Sequence, residues 1–185
     1  MRLLKSINLI DDKKQIKKLN IASIFLLILF FNLFTFVTLL FNSPQTVELR
    51  LSNLFWGSLS LILILVIHVL IHGFFFKIFN TEGKVKFGFK NGLAYATSPN
   101  SFYSKGKFLI ILLAPFALIT ITLFILYLLG VASSHAFVWL ASLHASSCVG
   151  DFYFSSLIVN LPSESYIEDT EKGINFYLNK EKHSM

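Results

Sequence analysis

Cysteine is almost absent from this chain, and charge is scarce. The single cysteine, Cys148, excludes an internal disulfide framework and leaves at most a ligand or a packed thiol. Only 14% of the 185 residues are charged, against 55% hydrophobic, and the mean hydropathy is +0.68. A water-soluble domain of this size needs more polar surface, so a membrane protein is expected. There is no internal repeat and no nucleic-acid motif. The net charge of +6 sits in segments that flank apolar runs, which fits membrane orientation and contact with anionic lipid, not nucleic acid. The abundance of Phe, Ile, Lys and Asn fits a bacterial source.

What is there is a series of apolar runs. Residues 1–20, "MRLLKSINLIDDKKQIKKLN", are basic and partly apolar, with Leu3, Ile7 and Ile10 at helical spacing. They predict a cytosolic, interfacial segment. Residues 21–41 form a run too long for a signal sequence and without a small-residue cleavage pattern, so a first transmembrane helix is expected. A linker with Pro44 ends it. Further spans are expected at about 53–79, 108–129 and 136–161. The last is the least apolar and carries His144, Cys148 and Asp151 among small residues, which suits close helix packing and polar partners inside a bundle.

Basic residues concentrate before the first span and between the second and third, where Lys77, Lys84, Lys86, Lys90, Lys105 and Lys107 lie. The other loops carry almost none, Arg50 excepted. The positive-inside rule then places both termini and the central loop in the cytosol. Within that loop, "KVKFGFKNGLAYAT" alternates apolar and basic residues and turns at Asn91-Gly92, which predicts a β-hairpin over about 84–97. Such a hairpin reads as a membrane-hugging connector or as an edge strand able to pair with an extended peptide. The expected fold is therefore an all-α membrane protein with four transmembrane helices, N-in and C-in. It comprises an interfacial segment at 1–20, a membrane domain at 21–161 and a cytosolic polar tail at 162–185.

The second span contains "VIHVLIHGFFFKIF". His68 and His72 stand one turn apart and project from one face, as two ligands of a single zinc ion do. A third ligand must come from elsewhere. Spans two and four run in the same direction, and His68 and Asp151 each lie about 15 residues in, so both are roughly 22 Å deep. Asp151 ranks first as third ligand, Cys148 second and His144 third. His144 lies two turns from the level of Asp151 and would need a kink, which Gly150 or the Ser146-Ser147 pair could supply. Without metal, the same residues would make a His–Asp hydrogen-bond cluster between helices.

At these residues the chain resembles a known family. "HVLIHGFFFKIF", "KFGFKNGLAYA", "APF" and "LHASSCVGDFYF" resemble, in order and spacing, blocks of the bacterial putative zincin peptidases, a four-helix membrane family. They are more distantly similar to the site-2 intramembrane metalloproteases. The resemblance covers roughly residues 50–178. It implies His68 and His72 as the paired histidines, Asp151 as the aspartate ligand and zinc as the metal. It also implies a glutamate after the first histidine, acting as general base on water. Here that residue is Val69, which cannot accept a proton. Glu82 and Glu48 lie beyond the two ends of the second span, and Asp151, the acid at the right depth, is needed as a ligand.

The expectation is a degenerate peptidase that keeps its metal ligands and has a binding or regulatory role in a bacterial cell membrane. Its partners would be the lipid bilayer and a membrane-embedded or juxtamembrane peptide, with no nucleic acid. An active intramembrane zinc metalloprotease with an unusual base is the alternative. A small membrane carrier is the third reading, although four spans leave little room for alternating access. Reporter fusions at Asn20, near Asn91 and at the C-terminus should all report the cytosol; an external signal near Asn91 would overturn the depth matching.

Overall fold

The computed structural model describes residues 1–9, 11–41, 51–90 and 93–178, and the chain is mostly helical. The linker with Pro44 and the Asn91-Gly92 turn lie outside the described residues. Helix α1 (Lys13–Phe41) begins where Asp12 Oδ1 accepts the Gln15 amide at 2.9 Å, satisfying one of the open N–H groups of the first turn. Helices α2 (Leu51–Phe79) and α3 (Lys105–Leu128) follow. These three helices are long and apolar enough to cross a membrane. Their outward side chains are large and apolar; Phe25, Trp56 and Leu63 are 69%, 62% and 58% exposed, a surface suited to lipid and not to water.

The single span expected at 136–161 is instead two shorter helices, α4 (Ser134–Ser147) and α5 (Val149–Val159). Ser133 caps the start of α4, its hydroxyl accepting the Ala136 amide. The break has a local cause. Ser146 Oγ donates to Leu143 O at 2.8 Å and Ser147 Oγ donates to His144 O at 2.6 Å, so two carbonyls near the end of α4 are engaged by hydroxyls. Such back-bonding bends helices. The Cys148 amide is split between His144 O and Ala145 O at 3.2 and 3.3 Å, and the helix stops there.

The all-α expectation also needs correction. Strands β1 (Arg2–Asn8), β4 (Phe102–Ser104), β5 (Ser165–Thr170) and β6 (Gly173–Leu178) form an antiparallel sheet in the order β1-β6-β5-β4. The N-terminal segment thus begins as a strand, paired from Arg2↔Leu178 to Asn8↔Gly173, and ends in the first turns of α1, and the polar tail supplies the two central strands. A separate hairpin pairs β2 (Lys86–Lys90) with β3 (Leu93–Thr97), from Lys86↔Thr97 to Lys90↔Leu93.

Two compact units contain these elements. The first comprises residues 1–18, 69–115 and 151–185. Its core joins Phe76 of α2 and Phe108 and Ile111 of α3 to Tyr103, Ile158 of α5 and the sheet residues Ile167, Ile174 and Phe176. Tyr103 donates its hydroxyl to Ser98 Oγ at 2.8 Å, so the buried ring keeps its polar end satisfied. Lys105 Nζ donates to Val159 O and Leu161 O at 2.8 and 2.7 Å, a positive charge where the last carbonyls of α5 face outward. Hairpin strand β2 lies close against α2, because a Cβ at Gly73 would run into the Phe87 ring.

The second unit, residues 19–68 and 116–150, is held by aromatic contacts. Phe137 of α4 sits at its centre, stacked on Tyr127 at 5.5 Å and tilted against Phe34 and Phe124 at 5.4 and 5.6 Å. Phe31 meets Trp139 edge-on at 5.0 Å.

Replacing Phe76, which is 2% exposed, with alanine should lower stability by about 3–5 kcal/mol. Phe74→Ala, on the outer face of the same helix, should change it little. Thermal unfolding in detergent measures both, and equal losses would contradict this core.

Candidate metal centre

The site is built around one missing hydrogen-bond donor. In an α-helix the carbonyl of residue 111 accepts the amide of residue 115. Here residue 115 is proline, inside α3, and it has no N–H to give. His72, buried on α2, takes its place: His72 Nδ1 is 2.9 Å from Ile111 O. A carbonyl only accepts, so Nδ1 carries a proton and Nε2 is the nitrogen left to a metal or to a second proton.

That second nitrogen faces Asp151. The aspartate lies in the first turn of α5, with Oδ1 3.4 Å from His72 Nε2. Two lone-pair-bearing atoms at this distance require a proton or a cation between them. Nitrogen and oxygen ligands at about 2.0–2.1 Å from one tetrahedral zinc stand about 3.3–3.4 Å apart, so the pair fits zinc without rearrangement. The Ile111 carbonyl then acts as the outer hydrogen bond that fixes a metal-binding imidazole.

His68 lies one turn before His72 on the same continuous helix. His68 belongs to another grouping. Its Nδ1 is 3.1 Å from His144 Nε2 and 3.8 Å from Cys148 Sγ, and Cys148 Sγ is 3.7 Å from His144 Nε2. His144 and Cys148 are fully buried. The structure thus brings His72 to Asp151, and His144 and Cys148 to His68. Val69, half-buried, follows His68 on the helix.

Two contributors were not foreseen from sequence. Pro115 is one, acting through the Ile111 carbonyl. The other is Asp169 of β5. Its strand alternates, so Ser165, Ile167 and Asp169 share a row, and Ile167 packs in the core of the first unit. Asp169 therefore occupies an inward position. Burial pushes its carboxyl from the ordinary 3.8 up to about 8; the charge of His72 opposes this shift and that of Asp151 adds to it. Asp169 thus lies within the electrostatic reach of both His72 and Asp151. The neighbouring Glu168 fixes the strand, accepting from Asn100 N, Asn175 Nδ2 and Tyr177 Oη at 3.1, 3.1 and 2.9 Å.

Three helices long and apolar enough to cross a membrane are consistent with a membrane protein, and His72 and Asp151 are residue types able to ligate a metal. The family model described as putative zincin peptidase matches residues 61–166, and the chain belongs to that family. The matched stretch contains His68, His72, Pro115, His144, Cys148 and Asp151, and ends before Asp169. Comparison with curated proteins and with solved structures returned no match.

Pro115→Ala restores an amide that competes for Ile111 O, and loss of such an outer partner typically weakens metal binding roughly 10–100-fold. Zinc titration of the two proteins tests this; equal affinities would remove Pro115 from the site. Asp169 gives a pH prediction. Its folded value lies above its unfolded one, so the folded chain holds a proton that the unfolded chain loses between about pH 4 and 8. Stability should fall as pH rises through that window and level off above it. Asp169→Asn should flatten the slope, measured as melting temperature against pH.

Proposed function

We propose that this chain is a multi-pass protein of a bacterial cell membrane in which His68, His72 and Asp151 hold zinc, and that it is a degenerate peptidase with a binding or regulatory role. The observation that carries the reading is His72: Nδ1 engaged by Ile111 O and Nε2 turned to the Asp151 carboxylate. Zinc at such a donor set supplies Lewis acidity toward a carbonyl. Hydrolysis also needs a group that takes a proton from water. Val69 stands at the position where a zincin helix carries that group, and losing a positioned general base typically costs roughly 10²–10⁴-fold in rate. A protein of this kind retains the means to bind a membrane-embedded or juxtamembrane peptide, with hairpin β2-β3 beside Gly73 as a strand edge for it to pair with. In this reading α4 and α5 together make a fourth crossing and both termini are cytosolic.

A second reading, an active peptidase, is favoured by Asp169, an acid from another element in the field of His72 and Asp151. Val69→Glu, which recreates the HExxH arrangement, separates the two. In the degenerate reading, wild type leaves a membrane peptide uncut and Val69→Glu cuts it, a gain on the order of 10²–10⁴-fold. In the active reading, wild type cuts, chelator stops it, and Asp169→Asn abolishes it. Zinc content of wild type beside His72→Ala tests the site itself; equal content in the two would overturn it.

A further inference from the structure

We propose that His68, His144 and Cys148 form a second metal site, one that takes a thiophilic divalent cation of the zinc class. The grouping stands apart from the His/His/Asp ligands in its chemistry. It offers two imidazoles and one sulfur and no carboxylate, a set that selects zinc-class ions over magnesium or calcium. Its ligand atoms, His68 Nδ1, His144 Nε2 and Cys148 Sγ, all lie within 4.8 Å of one another.

The spacings are those of atoms around a common centre. Nitrogens at about 2.0–2.1 Å and sulfur at about 2.3 Å from one tetrahedral ion give N–N separations of about 3.3–3.4 Å and S–N separations of about 3.5–3.6 Å. The observed S–N distances, 3.7 and 3.8 Å, are slightly longer and have to close by about 0.1–0.2 Å. The N–N distance, 3.1 Å, is that of a hydrogen bond and has to open by a few tenths of an ångström. Loading the site moves two protons: the thiol hydrogen of Cys148 leaves to solvent and the sulfur binds as thiolate, and the hydrogen shared between His68 Nδ1 and His144 Nε2 passes to the far nitrogen of the ring that carries it.

The backbone explains why these atoms meet. His144 and Cys148 are four residues apart, one turn, and Cys148 is the residue at which the chain leaves α4. The serine pair that distorts this turn draws the Cys148 amide between two carbonyls, and Cys148 Sγ lies 3.3 Å from His144 O. His68 reaches the pair with Nδ1; to serve the His/His/Asp site through Nε2 at the same time, its ring would give up its remaining proton to solvent and bridge the two ions as imidazolate. The second site needs neither His72 nor Asp151.

The test uses the full chain in detergent, freed of metal and titrated with Co²⁺. Because Cys148 is the chain's one cysteine, any thiolate-to-cobalt charge-transfer absorption must arise from it. Wild type should show that band, and added Zn²⁺ should bleach it. His144→Ala should weaken cobalt binding at least 10-fold by the intensity of the band, and Cys148→Ser should remove the band altogether. His72→Ala should keep it. Absence of the band from wild type, whether or not cobalt binds elsewhere, or a band unchanged in His144→Ala, would overturn the proposal. Loss of zinc at the His/His/Asp ligands would show as a His72→Ala protein with the band intact and one bound metal fewer, so the two sites fail separately.

Discussion

The carbonyl of Ile111 lacks a helical donor because residue 115 is proline, and His72 supplies the donor instead. Both groups would be costly alone in an apolar interior. An unsatisfied buried carbonyl costs about 1–3 kcal/mol, and an imidazole inside an apolar helix needs partners at both nitrogens. One bond at 2.9 Å answers the first need and half of the second. It also removes a freedom: with Nδ1 committed as donor, Nε2 can only accept a proton or bind a metal. The surrounding packing holds that bond in register. Phe76 lies one turn after His72 and Phe108 three residues before Ile111, and their rings meet at 6.2 Å. The aromatic core and the polar site are therefore consecutive turns of the same two helices.

The end of α4 shows a comparable compromise. A continuous helix from 134 to 159 would place His144, Cys148 and Asp151 on a single rod. Hydroxyls of Ser146 and Ser147 bond backward to carbonyls, and the rod divides at Cys148. Asp151 then belongs to the first turn of a new helix, where the open amides favour a carboxylate. His144 and Cys148 stay with the helix before the break. Serines that look like packing residues thus decide which polar side chains share an element.

Much of this was legible in the residues. Run length gave α1, α2 and α3, alternation around Asn91-Gly92 gave the hairpin, and the four-residue interval gave the histidine pair. The serine pair and Gly150 were visible as sources of a kink. The sheet was not. Strand β1 pairs with a strand some 170 residues away, and nothing in "RLLKSIN" announces that partner. Once β5 and β6 are read as a polar tail, Asp169 is one more solvated acid. Only the register Ile167↔Phe176 and Asp169↔Ile174 shows that it sits in the inward row. Pro115 was visible as a residue, but its effect depends on which way the carbonyl of residue 111 points, and a sequence does not state that.

The remaining tension lies between Val69 and Asp169. A glutamate at 69 would ride on the metal-binding helix, its distance from the ligands fixed by a single peptide unit. Asp169 comes from a sheet instead, and its approach to His72 is set by strand pairing and by the three donors that clamp Glu168. Its protonation is set by burial. With a carboxyl pushed up to about 8, it is mostly protonated at neutral pH. A protonated acid can donate a hydrogen bond to a peptide carbonyl, but it cannot take a proton from water. A cation beside it would favour the ionised form.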